Sequence, residues 1–329
     1  MTGRALALAL DLGLDRPLRW LRRRSAVVLM YHGFTDRPSD GIVNYQGNRL
    51  QQSAFRRQLS YLRDHANLVT LRAVVESLRG GPALPDNAVA LTIDDGYESV
   101  HSLGFPVLRE FSAPAALFVA TQFVDERVPL WPDRLEHAFA GAPGDAAARR
   151  ERLKSLQAQA KDLLPRAREA LIVPVERELR RLVLDGSAPE NYRPLSWAQC
   201  REMADSGLVE IGSHTHTHTI ATLLGASGFR EELARSKALV EKNVGRPCDL
   251  FCYPNGDYDD LSADTAAALR DGGFLCGLST VAGFVGPGAD PYALRRFGTD
   301  DRDSFDKFRM TFSLGRNLLQ GARRRLSNG

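Results

Sequence analysis

Cysteine is scarce in this chain: four in 329 residues, at Cys200, Cys248, Cys252 and Cys276, with no C-x-x-C pair. Thiols so few and so scattered exclude a disulfide framework and a thiolate-held structural metal. Cys248 and Cys252 are close enough to suggest ligands, but they stand before and within an apolar stretch, where small core residues are expected. Long apolar runs are missing too; none approaches the roughly 18–20 residues of a membrane span. Ala5–Leu10 is apolar, but Asp11 interrupts it and no convincing cleavage site follows. A helix is expected there, not a secretory signal, and with the free thiols this points to a cytoplasmic protein. Charge of one sign is also lacking. The 43 basic and 40 acidic residues leave a net charge of +3, and no basic stretch is interleaved with aromatics, so nothing argues for nucleic acid. No internal repeat or low-complexity linker divides the chain, which is long enough for ample core.

What is present is an alternation of strands and helices. Val89–Ile93 is a short apolar, partly β-branched run that reads as a buried strand. Similar runs are Ala26–Met30, Leu68–Leu71, Ala115–Ala120, Leu208–Ile211, Leu250–Tyr253, Phe274–Leu278 and Tyr292–Phe297. Amphipathic helices are expected between them, such as Gln51–His65 with Phe55, Leu59 and Leu62 on one face, and a helix opened by a capping box at Ser196 and Gln199. Such alternation predicts an α/β fold with a parallel sheet closing like a barrel over residues 25–300. An Ala-, Arg-, Leu- and Glu-rich stretch at about 133–195 breaks the pattern and predicts a helical insertion. Residues 1–24 and 301–329 are basic amphipathic ends, with Arg22–Arg24 and Arg323–Arg325 as clusters. Such ends suit a peripheral contact with an anionic membrane; packing on the domain with solvated arginines is the favoured alternative.

Four of the predicted strands end in polar clusters: His32, Asp94-Asp95, His214 to His218, and Pro254-Asn255-Gly256. In α/β barrels that end of the strands carries the chemistry. Asp95-Gly96 alone reads as a β-turn, but four clusters at four strand ends are hard to explain as packing. His214, His216 and His218 stand at alternate positions among only seven histidines. If the stretch turns helically, His214 and His218 share a face and His216 points away. Two histidines, one carboxylate from Asp94 or Asp95, and an open position form the donor set of catalytic zinc and of some iron sites.

These residues also carry a resemblance. Thr92-Ile93-Asp94-Asp95-Gly96 resembles the T-F-D-D-G motif of polysaccharide deacetylases of the NodB-homology, carbohydrate esterase 4 type. His214-Thr215-His216-Thr217-His218 is similar to their H-[ST]-x-x-H motif, and Tyr253-Pro254-Asn255-Gly256 to their Y-P-Y-G segment. The resemblance spans roughly residues 26–300 and implies a distorted (β/α) barrel of NodB type. It implies Asp95, His214 and His218 as ligands of one divalent ion, Zn2+ first, with Co2+, Mn2+, Ni2+ or Fe2+ as alternatives, and Asp94 as the base. The family's usual acid histidine comes late in the chain, and here no histidine follows His218. Tyr31-His32 resembles the permuted subgroup that includes poly-N-acetylglucosamine deacetylases, which implies His32 as the general acid. The arginine of the R-P-P-Y segment is missing; Arg296, or else Arg295, is similar to the arginine of an L-P-R-I stretch and would orient Asp94. Asn255 replaces the usual tyrosine, but its backbone N–H suits an oxyanion.

The resemblance thus implies a metal-dependent hydrolase that removes N-acetyl groups from an amino-sugar glycan or glycan precursor. Tyr97, Trp131, Tyr253, Pro254 and Asn255 are the expected substrate contacts; for Trp131 packing is about equally expected. The alternatives are a deacylase or deformylase of a lipid-linked sugar at the inner membrane face, and a silent glycan-binding module on the same fold.

Overall fold

The computed structural model describes residues 12–13, 16–38, 41–180 and 189–314. Among the described residues ten strands form: β1 Val27–Tyr31, β2 Gly33–Thr35, β3 Arg49–Gln51, β4 Asn67–Leu68, β5 Ala88–Ile93, β6 Ala115–Val119, β7 Val209–Ser213, β8 Leu250–Cys252, β9 Cys276–Leu278 and β10 Phe297–Gly298. All but β2 and β3 build one parallel sheet, in the order β10-β1-β5-β6-β7-β8-β9 with β4 beside β5. A bridge between Leu278 and Leu294 joins its two ends, so the sheet curls into the distorted barrel expected.

Strand sequence explains the curl. Both faces of β5 are buried along its whole length, as befits a parallel strand covered on each side. Val89, Leu91 and Ile93 join the larger core, together with Phe55, Leu59 and Leu108 from the covering helices. Ala88 and Ala90 face the other way, into a narrower core with Val28, Ala116 and Leu278. That inner core is rich in small residues because strands converge there. At Gly212 a Cβ would lie 2.7 Å from the Leu250 carbonyl oxygen, so β7 and β8 approach only through glycine.

Three expected elements differ. The Leu68–Leu71 strand shortens to β4, because Thr70 caps a helix over Leu71–Leu78 by accepting from the Ala73 N–H. Of Tyr292–Phe297 only Phe297 lies in a strand and Leu294 makes a single bridge; Asp290 accepts from the Tyr292 N–H and winds Pro291–Ala293 into a 3-10 turn. The helix after β5 opens as a π-helical turn at Val100–Gly104, where Pro106 lacks the N–H that an α-helix needs.

Between β6 and β7 the described residues of the insertion form three helices, Trp131–Ala140, Ala146–Lys161 and Pro165–Glu178. They have their own small core, Leu135, Phe139, Leu153 and Ile172, which also receives Ile42 from the loop after β2. Buried Arg134 ties the first helix to the third through paired hydrogen bonds to Glu176 of 2.9 and 2.8 Å. At the ends, a short helix Arg16–Leu21 meets Phe305–Leu314: Arg22 donates to the Ser313 and Phe312 carbonyls and lies over the Phe312 ring. Arg323–Arg325 lie outside the described residues. No helix among the described residues is long and apolar enough to cross a membrane.

Candidate active site

Strand register brings the polar clusters level. Tyr31 of β1 pairs with Ile93 of β5, and Val119 of β6 with Ser213 of β7, which also pairs with Phe251 of β8. His32, Asp94, His214 and Cys252 therefore emerge around one mouth of the barrel. All of them except Cys252, with Asp95 and His218, line a cavity of ≈ 490 Å³.

Asp94 continues the inward face of Ala88, Ala90 and Thr92. Beneath it lies Arg296, with no exposed surface. The guanidinium meets the carboxylate side-on, Nη1 to Oδ1 at 2.8 Å and Nη2 to Oδ2 at 2.8 Å, and also donates to Thr92 Oγ1 and the Ser279 carbonyl. Arg295 is exposed on the opposite side, so alternation turns Arg296 inward. Burial works to raise the Asp94 carboxyl, but Arg296 outweighs it and holds the group below its ordinary value. Cys252 packs in the inner core as expected, but its Sγ also sits 3.0 Å from Arg296 Nη2 and 3.5 Å from Asp94 Oδ2. A lone cysteine in an apolar run gives no sequence sign of that contact.

Asp95 leaves the strand. Its φ of 77° is a left-handed conformation, rare outside glycine and a sign of a constrained turn. The turn aims the carboxylate sideways, with Oδ1 3.5 Å from His214 Nε2 and 3.3 Å from His218 Nε2. The two histidines do not share a helical face as expected. Residues 214–220 form a bend, in which Thr215 and His218 take φ of 62° and 53°. Those reversals bring the ring centroids to 4.9 Å. His216 does point away, its Nδ1 2.9 Å from Thr121 Oγ1. Glu232 holds the bend by accepting from the His216 and Thr217 N–H groups at 2.7 and 2.8 Å. His214 Nδ1 donates to the Cys252 carbonyl at 2.8 Å, which fixes the tautomer and leaves Nε2 facing Asp95.

Asp95, His214 and His218 each present a ligand atom, all within 4.8 Å of one another. Two imidazoles and a carboxylate fit a catalytic divalent metal. Burial works to raise the Asp95 carboxyl, yet the hydrogen-bonding imidazoles outweigh it and hold it well below the ordinary range. Asp94, His214 and Cys252 also cluster, but fit a metal less well. Both Asp94 oxygens are occupied by Arg296, and burial pushes the Cys252 thiol up beside that cation.

Tyr97, Trp131, Tyr253, Pro254 and Asn255 all line the cavity. The Tyr253 ring is buried between Phe229 and Phe251. Asn255 adopts φ 63° and its side chain donates to Asp260, which accounts for asparagine at a left-handed position. Tyr97 belongs to a buried network that sequence reading missed. It donates to Asp133 Oδ2 at 2.7 Å, Arg49 Nη2 meets Asp133 Oδ1 at 2.6 Å, and Glu136 accepts from Tyr192 at 2.9 Å. Nothing in the sequence distinguishes Asp133 and Glu136 from solvated charges on a helix.

The family model described as polysaccharide deacetylase matches residues 81–270, more than half of the chain. The chain belongs to the polysaccharide deacetylase family. Its relatives include the poly-β-1,6-N-acetyl-D-glucosamine N-deacetylase of Escherichia coli K12, 34% identical over 100 residues that are 30% of this chain. The match spans only 14% of that relative's length. The Staphylococcus aureus MSSA476 protein of the same name is 25% identical over 280 residues, 82% of this chain and 72% of that protein. Among solved structures, IcaB from Ammonifex degensii superposes with a TM-score of 0.60 at 24% identity, over 88% of this chain and 97% of that one. The BpsB deacetylase domain from Bordetella bronchiseptica gives 0.52 at 23%, over 84% and 96%. Both likenesses bear on the family's barrel fold.

Proposed function

We propose that this family member is a metal-dependent N-deacetylase of an amino-sugar glycan, releasing acetate and leaving a free amine. The observation that carries the reading is the pairing at one cavity of a three-donor set, Asp95, His214 and His218, with a carboxylate clamped by Arg296. The polysaccharide N-deacetylase names of the relatives agree with it. Asp95, His214 and His218 would hold the ion, Zn2+ first. Such an ion supplies Lewis acidity for the acetyl carbonyl and for water.

The chain's own residues do the rest. Asp94 takes the proton of the attacking water. Arg296, held by Thr92 and the Ser279 carbonyl, keeps that carboxylate ionised and aimed. The Asn255 backbone N–H, with no partner among the described residues, is placed to donate to a developing oxyanion. His32 gives a proton to the leaving amine. Its Nδ1 is buried without a partner among the described residues, and the ring lines the same cavity.

Acetate release from N-acetylglucosamine oligomers by the zinc-loaded protein, matched one for one by new amines, tests the reading. No acetate from any N-acetylated glycan would sink it. His32→Gln is expected to lower kcat by roughly 10²–10⁴-fold on the sugar amide. On an activated aryl acetate, whose leaving group needs no proton, the loss should be much smaller. Equal losses on both would remove His32 from the acid role.

A further inference from the structure

Four arginines are buried among the described residues, and three of them meet a carboxylate. Arg49 meets Asp133 at 2.6 Å, Arg134 meets Glu176 at 2.8 Å, and Arg296 meets Asp94 at 2.8 Å. Arg168, on the third insertion helix, is only 4% exposed and has no carboxylate partner among the described residues. Its Nε donates to the Ala160 carbonyl at 3.0 Å and its Nη2 to the Leu163 carbonyl at 2.7 Å; Nη1 takes part in neither bond. The guanidinium carbon lies over the Trp131 ring, 5.1 Å from its centre. The adjacent Glu169 gives its carboxylate to Arg134 at 2.6 Å. A buried cation without a counter-charge is costly unless a ligand supplies one. In agreement, burial pushes the guanidinium down to about 10, against a smaller opposing effect of Glu169.

Arg168 lines the active-site cavity, and so do Lys154 and Lys161 from the preceding helix. Among the described residues Lys154 pairs only with the exposed Glu151, at 2.8 Å, and Lys161 has no carboxylate partner. The acids on the cavity wall are already engaged: Asp94 by Arg296, Asp133 and Glu136 by Arg49, Asp95 by the two histidines. The insertion therefore turns a surplus of positive charge toward the place where substrate must lie.

We propose that the insertion wall of Lys154, Lys161 and Arg168 is a subsite for an anionic group, phosphate or carboxylate, borne by the glycan near the acetamide that is cut. The proposal rests on the deacetylase reading for the bond that breaks, but not for the anion. Guanidinium and ammonium donors make short, charge-assisted bonds to phosphate and carboxylate oxygens. A neutral glycan would leave the Arg168 charge uncompensated beside the cavity, so the wall selects against it.

The test is a calorimetric titration of the zinc-loaded full chain with three probes. These are the neutral tetramer of N-acetylglucosamine, the same tetramer phosphorylated on one terminal residue, and the tetramer carrying a carboxylate there. The charged probes are expected to bind about tenfold tighter than the neutral one. That preference should largely vanish in Lys161→Gln and in Arg168→Gln, and shrink as salt is raised. Lys161 ends its helix half-exposed, so its variant stays informative even if loss of the Arg168 bonds to two carbonyls unfolds the other. Preference for phosphate alone assigns the subsite to phosphorylated sugars; preference for both assigns it to charge in general. Equal affinity for all three probes, or a preference that survives Lys161→Gln, overturns the proposal. Binding is read on the Asp94→Asn form, which is expected to keep its zinc and not turn the probes over, and acetate release on the unsubstituted protein. Failure to release acetate from any probe would count against the deacetylase reading and leave the affinity ratio standing.

Discussion

Asp94→Asn is expected to lower kcat for acetate release by about 10³-fold while leaving the zinc-loaded protein with one ion per chain. The magnitude is that of losing a positioned base. The division follows from geometry. Asp94 has both oxygens against Arg296, so it is neutralised and oriented from below and is poorly placed as a ligand. Asparagine keeps the volume and one acceptor oxygen for the guanidinium. Asp95 has its Oδ1 turned to His214 Nε2 and His218 Nε2 by a left-handed backbone. Asp95→Asn is accordingly expected to lose zinc and activity together. Metal analysis beside acetate release separates the two. A zinc-free Asp94→Asn beside a zinc-replete Asp95→Asn would reverse the assignment.

Arg296→Met is the substitution with the largest expected effect on stability. Arg296 and Asp94 are both buried and meet through two 2.8 Å hydrogen bonds. Removing one partner strands the other charge inside the barrel, at about 3–5 kcal/mol. Denaturant unfolding at neutral pH reads that loss directly. A change under about 1 kcal/mol would mean that water or a rearranged group reaches Asp94. The sign with pH follows from the direction of the shift. The Asp94 carboxyl is held below its ordinary value of 3.8, so the pair's contribution is full above that value and fades as pH falls through the lowered one. Arg296→Lys gives the functional counterpart. An ammonium cannot match the carboxylate side-on, so burial regains its hold and the Asp94 carboxyl rises. The acidic limb of the kcat/KM profile should then move to higher pH, with kcat falling more than KM changes. A purely structural arginine would leave the limb in place.

Much of the barrel is legible from the chain, because parallel strands buried on both faces read as apolar runs and their ends read as polar interruptions. β5 and Asp94-Asp95 are the clearest case. The resemblance names Arg296, or else Arg295, and alternation turns only one of them inward without choosing which. The choice depends on where the turn opened by Asp290 and Pro291 ends, since that sets the phase of Leu294 and Arg296. The histidine pair was legible as a pair and not as a shape. Its bend depends on φ reversals at Thr215 and His218 and on Glu232, a residue of the following helix with no local mark of its role. The insertion was legible as helical from composition alone. That its charges split into a neutralised set around Arg49 and an uncompensated one around Arg168 is a matter of packing between segments far apart in sequence, which no local pattern encodes.

The central claim is that one cavity joins a metal held by Asp95, His214 and His218 to a base at Asp94. The measurement that bears on it most directly is acetate release from N-acetylglucosamine oligomers before chelation, after it, and after return of zinc. Release should fall to background in the stripped protein and recover in full with one equivalent of zinc. Undiminished release from protein shown by metal analysis to be stripped would contradict the claim.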